Sequence, residues 1–303
     1  MHEIVAFSEQ QNFIEPNEKS ENPVEEKWTT IITPYRGFFH ISWKEIWQHR
    51  ELIRLFVHRD YTSVYKQTVL GSVWHLIQPL FQTLMFVLIF SKILKVPTNG
   101  IPPMLFFLSG IVCWRYFSEC VNKTSMTFTA NQYIFDKIYF PRLIVPISQV
   151  IVNLIGFSAQ LGLFLVLYLF FYLNGAAIQP DWRLIVLPVL VFELAALGLG
   201  VGCLISALTT RYRDLSMGMG FFIQLWMYAS CVAYPLSQVP SSLRWMVQLN
   251  PIVPIIEAFR YVFMRSGIVD FSQILSGAIM SAMIVIIGII VFNKVERTSV
   301  DNA

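Results

Sequence analysis

Charge is what this sequence has least of: 14% of its 303 residues are Asp, Glu, Lys or Arg, where soluble globular domains carry about 25%. With 55% hydrophobic residues, 25 Phe and 8 Trp, most of the surface is expected to face lipid. The net charge of +3 averages an acidic head with basic segments nearer the membrane. No dense basic patch is present, which argues against a nucleic-acid partner. Cysteine is scarce, and Cys113, Cys120, Cys203 and Cys231 all lie in apolar runs without C-x-x-C spacing. They read as small buried hydrophobes, with a disulfide as the lesser alternative. The histidines (His2, His40, His49, His58 and His75) also lack ligand spacing, so no metal site is expected. The start is polar and acidic rather than basic and then apolar, so no cleavable signal peptide is expected.

Catalytic motifs are missing too. No G-x-x-x-x-G-K-[ST] loop occurs, so this chain has no means of cradling a nucleoside triphosphate and is expected to hold no cofactor. Nucleophile elbows and H-E-x-x-H motifs are absent. LSG at Leu108–Gly110 and Leu275–Gly277 resembles part of an ATPase signature, but each copy sits in or beside a span and is read as chance. The sequon Asn122–Thr124 falls at the inner end of a span and is read as unused.

What is present is a series of long apolar runs. The expected fold is an all-α polytopic membrane protein with about six transmembrane helices, an N-terminal interfacial helix and short re-entrant helices before the last span. Residues 1–40 are rich in glutamate and poor in apolar residues, which reads as a mobile cytoplasmic tail. Residues 41–66 hold an amphipathic helix: Trp43, Ile46, Trp47, Ile53, Phe56 and Val57 recur at helical spacing among Lys44, Arg50, Arg54 and Arg59. Such a helix lies in the headgroup plane. The six-span region is 67–295, with spans near 71–92, 104–127, 144–173, 183–208, 217–235 and 273–293, each near the ~20 residues a ~30 Å hydrocarbon core needs. Residues 236–272 are semi-polar and interrupted by Pro240, Pro251 and Pro254, so they read as short re-entrant or interfacial helices. Residues 296–303 are a C-terminal cytoplasmic tail. Lysine and arginine near the span ends favour both termini inside.

Ionisable residues inside spans are functional candidates by default. Arg115 and Glu119 are four apart and share a helix face, where they neutralise each other. A structural pair inside the bundle is the reading taken, with a transport role as the alternative. Glu193 shows no partner in sequence. Two cytoplasmic connectors stand out, Asn131–Pro141 and Thr210–Leu215. The first holds Tyr133, Phe135, Tyr139 and Phe140, and exposed aromatics there mark either a binding surface or an interfacial helix.

Several motifs occur in a fixed order: Arg59–Gly71 with Trp74 and Gln78-Pro79, Lys137–Pro146, Arg211–Leu215, Tyr234-Pro235, Leu249–Pro251 and Glu257–Arg260. Over roughly residues 43–295 the chain resembles the permease subunit of ABC-type polysaccharide exporters, which move lipid-linked O-antigen, capsule-like glycans or teichoic acids. The acidic head falls outside that shared core. Arg115 stands where the family usually has an uncharged residue.

The resemblance implies a homodimer in the bacterial inner membrane, paired with two copies of a separate ATP-binding cassette subunit that binds ATP and Mg. It places the ATPase-coupling surface on Tyr133, Ile134, Phe135, Asp136, Lys137, Tyr139 and Phe140 with Arg211, Arg213 and Asp214. The helix Trp43–His58 resembles a gate helix at the substrate entry, and Leu236–Gly267 the external gate, with Gln248, Asn250 and Pro251. At the entry Arg54, Arg59 and Lys66, with Tyr61 and Tyr65 as donors, would meet the lipid pyrophosphate, or else anionic lipid headgroups. A glycan passage wants aromatic faces that bind sugars weakly and repeatedly. The candidates are Phe81, Phe86, Trp114, Tyr116, Phe117, Phe221, Phe222, Trp226, Tyr228 and Tyr234. Two rival classes are an ion-coupled lipid-sugar flippase, which would show intramembrane acid relays, and a membrane transferase. The transferase would need convergent acids outside, where only Asp181, Glu257 and Asp270 occur, scattered.

Overall fold

The computed structural model describes residues 43–66, 70–135, 137–138, 140–176, 178, 181–212, 214–265 and 271–301. The acidic segment 1–40 lies outside them. Among the described residues all regular structure is helical, and the chain is a polytopic helical membrane protein.

Two short helices come first, α1 (Trp43–Gln48) and α2 (Arg50–Tyr65), parted at His49, whose Nδ1 donates to the Glu45 carbonyl at 2.8 Å. The sequence predicts one helix ending near His58; the second piece runs on to Tyr65. Ile46 and Phe56 are buried while Trp47 and Leu55 stay exposed, the division expected of a helix lying on a membrane surface. There follow α3 (Trp74–Phe86), α4 (Pro103–Ser125), α5 (Thr127–Phe135), α6 (Ile144–Leu173), α7 (Leu187–Arg211), α8 (Asp214–Tyr228), α9 (Ser241–Gln248), α10 (Ile252–Met264) and α11 (Phe271–Asp301).

Among the described residues five stretches are long and apolar enough to cross a bilayer: Gly71–Ile93, Pro103–Ser125, Ile144–Leu173, Trp182–Arg211 and Ser272–Glu296. They match the expected spans one to four and six to within a turn. The fifth expected span, 217–235, is different. Its helix α8 has 15 residues, roughly 22 Å at 1.5 Å per residue, less than a ~30 Å hydrocarbon core. Past Tyr228 the chain turns, and Cys231 takes a positive φ of 54°. The reason lies elsewhere in the sequence. Arg260 takes the carbonyls of Cys231 and Val232 (2.9 and 3.0 Å), and Asn250 donates to the Ala229 carbonyl (3.2 Å). Carbonyls that would continue the helix are satisfied by side chains instead, which permits irregular backbone at membrane depth. The last helix also differs, continuing past the expected end near residue 293 to Asp301.

Helix α4 is the axis of the bundle, with 78% of its spanning window buried, against 17–33% for the other four. Apolar burial is a weak drive between helices in lipid, so close packing must hold them. Small residues provide it on α7. A Cβ on Gly198 would stand 2.7 Å from Cys120, and one on Gly202 would stand 2.5 Å from Thr124, both on α4. On the opposite side Gly200 meets the backbone of Val285, and Gly288 of α11 meets Gly200. The Gly-Leu-Gly-Val-Gly run thus lets one helix touch α4 and α11 at backbone distance.

Candidate functional site

Two connectors meet at one end of the bundle, because Thr209 near the end of α7 donates to the Ser125 carbonyl at the end of α4 (3.2 Å). The first connector is a helix, α5, bent from α4 at Met126. Its aromatics do not form one exposed surface. Tyr133 is 71% exposed and Lys137 is exposed, with its ammonium 3.9 Å from the Tyr133 ring centre and donating to its hydroxyl. Phe140, expected to be exposed, is buried, and Ile134 and Phe135 are half-buried against Phe56 and Val145. Rings explain the difference. Phe56 lies 5.7 Å from Phe140, Phe140 lies 5.7 Å from Phe135, Phe135 lies 6.1 Å from Phe128, and Phe128 stacks on Phe292 at 4.6 Å. Edge and offset ring contacts of this kind add specificity beyond burial. Arg142 caps the row, 5.1 Å from Phe135, and its backbone N–H donates to Glu296 (3.1 Å). The row joins α2, α5, the Phe140 turn and α11. Asp136, Tyr139 and Arg213 lie outside the described residues; Arg211 and Asp214 are exposed, with Arg211 5.6 Å from the Tyr212 ring.

At the expected entry, Arg54 pairs with Glu51 (2.9 Å) and Arg59 with Asp60 (2.6 Å), while Lys66 is exposed. Arg59 also lies 4.6 Å from the Phe56 ring, and Asp60 accepts from Gln149 of α6. Both arginines therefore already have carboxylate partners, and a phosphate would compete with Glu51 and Asp60. The Tyr61 hydroxyl is 3.4 Å from Ser72. The Tyr65 side chain lies outside the described set.

The expected passage aromatics separate into two groups. Phe86, Trp114, Tyr116 and Phe117 are buried in the core around α4 and line no open surface of this chain. Trp114 packs on Phe117 and Trp226, and Tyr116 on Phe157. Within this chain these four pack against neighbouring side chains, unlike the exposed ones. Phe81, Phe221, Phe222 and Tyr228 are exposed, and Trp226 and Tyr234 are partly buried against the core. Trp226 Nε1 donates to Asn250 Oδ1 at 3.1 Å, and the Tyr234 hydroxyl donates to the Tyr228 carbonyl at 2.9 Å.

In the segment before α11, Asn250 holds the turn after α8, adding a bond to Ser230 Oγ (2.9 Å). Pro251 is buried, and Gln248 lines a cavity of about 410 Å³ with Glu257, Ser272, Gln273 and Ser276.

Beside it lies Arg260, whose burial its charge does not announce: it is 1% exposed. It pairs with Glu257 (3.0 Å), reaches Ser109 Oγ (3.4 Å) and lies 3.9 Å from the Phe106 ring. Ser109 and Gly110 belong to the LSG read as chance; a Cβ on Gly110 would stand 2.8 Å from the Arg260 guanidinium. The four cysteines are buried with free thiols. Glu193 accepts from Ser281 of α11 at 3.4 Å, a partner invisible in sequence.

At mid-span, Arg115 pairs with Glu119 (2.9 Å) and donates to Gln78 of α3 (2.8 Å). His75, one turn before Gln78, packs on Gly156 of α6, where a Cβ would stand 2.8 Å from its ring.

A bundle of spanning helices, with two connectors meeting at one end, defines a multi-pass helical membrane protein. Residues 51–264 match the family described as "ABC-2 type transporter", and the chain belongs to that family. It is 28% identical over 246 residues to "O-antigen export system permease protein RfbA" of Myxococcus xanthus, covering 80% of this chain and 91% of that protein. A protein of the same description from Klebsiella pneumoniae is 25% identical, with 81% and 92% covered. "Polysialic acid transport protein KpsM" of Escherichia coli is 22% identical over 75% of this chain and 87% of its own length.

Proposed function

We propose that this chain is the membrane-embedded permease of an ATP-driven exporter that carries a lipid-linked, O-antigen-like polysaccharide across the bacterial inner membrane. The observation that carries the reading is the family match over residues 51–264, extended by relatives named for O-antigen export along four fifths of the chain. Two copies form the passage, and both termini of each face the cytoplasm. Energy comes from two ATP-binding cassette subunits, since this sequence holds no phosphate loop of its own.

The geometry supports a route for that energy. Tyr133 and Lys137 offer an exposed patch at the end of α5 for the ATPase subunit. Behind them the ring row from Phe56 to Phe292 is packed, so a push on α5 reaches the interfacial helix α2 and the spanning helix α11 together. Packed cores respond by discrete shifts rather than by gradual bending. At the entry the lipid pyrophosphate takes Lys66 directly and competes with carboxylates for Arg54 and Arg59.

Deleting the gene from its natural host tests the reading. The expected outcome is loss of long-chain surface glycan, accumulation of its lipid-linked form inside, and restoration by the wild-type chain. Unchanged surface glycan in the null strain contradicts it. Capsule export is the second reading, favoured by the polysialic acid relative. Which polymer accumulates in the null strain separates the two.

A further inference from the structure

The Arg115–Glu119 pair is not sealed inside the bundle: its side chains keep 18% and 28% of their surface, near the middle of the spanning helix α4. Ionised groups at that depth face protein or a water-filled space, because lipid does not solvate them. Gln78, which accepts from Arg115, is itself exposed on α3. One turn to either side of it on the same helix face stand Trp74 and Phe81, 44% and 63% exposed. A polar cluster is thereby framed by two open aromatic faces.

The bonding in this cluster specifies a ligand. Gln78 spends its carbonyl oxygen on Arg115, so its amide N–H groups remain to donate. Glu119 spends one oxygen on Arg115 and keeps the other to accept. A donor beside an acceptor matches the hydroxyls of a sugar ring, and the aromatic faces match its C–H surface. Arg115 and Glu119 already neutralise each other, so an acidic sugar finds no net positive charge at the pair and is repelled by the Glu119 carboxylate.

Resting on the exporter reading, we propose that Arg115, Glu119 and Gln78, framed by Trp74 and Phe81, form a station that holds one uncharged, hydroxyl-bearing sugar residue of the glycan as it passes. This assigns specificity to charged residues that sequence alone leaves as a structural pair.

The test uses the full chain with Met85→Cys, an exposed position one turn beyond Phe81 on the same face of α3 and outside the station, in membrane vesicles. The native thiols are buried, so the new one is the target of a charged, water-borne methanethiosulfonate reagent. The expected result is labelling from water that a neutral manno-oligosaccharide slows and an oligogalacturonate does not. Adding Glu119→Gln should weaken that protection by about tenfold, as loss of a charged hydrogen bond implies. The double change Arg115→Gln with Glu119→Gln leaves no unpaired charge and should behave alike. Labelling without sugar protection, or equal protection by the uronate, overturns the station and leaves the exporter reading standing. No labelling, or a disulfide joining the introduced thiols of two copies, places the face in lipid or against a second chain and overturns it as well. Failure of the wild-type chain to restore surface glycan in a null strain overturns both.

Discussion

Arg260 shows how one side chain can shape a membrane fold. It is buried, paired with Glu257 and bonded to the Cys231 and Val232 carbonyls, so it ends one helix and joins it to two others. Gly110 makes the room. Gly110→Val should destabilise the chain by about 1–3 kcal/mol, the usual cost of overpacking, because the Val232 backbone cannot retreat. Arg260→Met should cost about 3–5 kcal/mol by leaving Glu257 buried without its cation. Adding Glu257→Gln should recover part of that loss. Unfolding in mixed micelles followed by circular dichroism reads all three, and an unchanged midpoint for Arg260→Met would contradict the structural role. The same residues mark where sequence reasoning stopped. Arginine near a span end looks external by charge counting, and nothing local shows that its partners are Ser109 and two carbonyls about thirty residues upstream.

Among the elements, α5 links the exposed patch to the bundle. Tyr133→Asp changes only exposed surface, so it should abolish or greatly reduce export at a normal protein level in the membrane. Phe128→Ala removes a buried ring stacked on Phe292 and should lower stability by about 3–5 kcal/mol, the usual cost of such truncations. Export assay beside quantitative immunoblotting separates the two effects; normal export by Tyr133→Asp would remove the coupling role. The spans themselves were legible, and α6 occupies the residues its apolar run predicts, because length and hydropathy are all that a lipid crossing demands. The stop of α8 was not legible. Tyr228 to Tyr234 is as apolar as the helix before it, and its turn is set by Asn250 and Arg260. Aromatic direction was hidden as well: core, lipid and passage all accept Phe and Trp, so Phe117 and Phe81 look alike in sequence while one is buried and the other open.

For the whole molecule, the proposed function is a division of labour in which this chain provides the route and a companion provides the drive. The most direct measurement is nucleotide turnover and glycan movement in proteoliposomes holding the purified chain, first alone and then with its ATP-binding cassette subunit. Neither activity is expected from the chain alone. With the companion, both should appear, with turnover stimulated by a lipid-linked glycan. ATP hydrolysis or uphill glycan transport by the isolated chain would contradict the account.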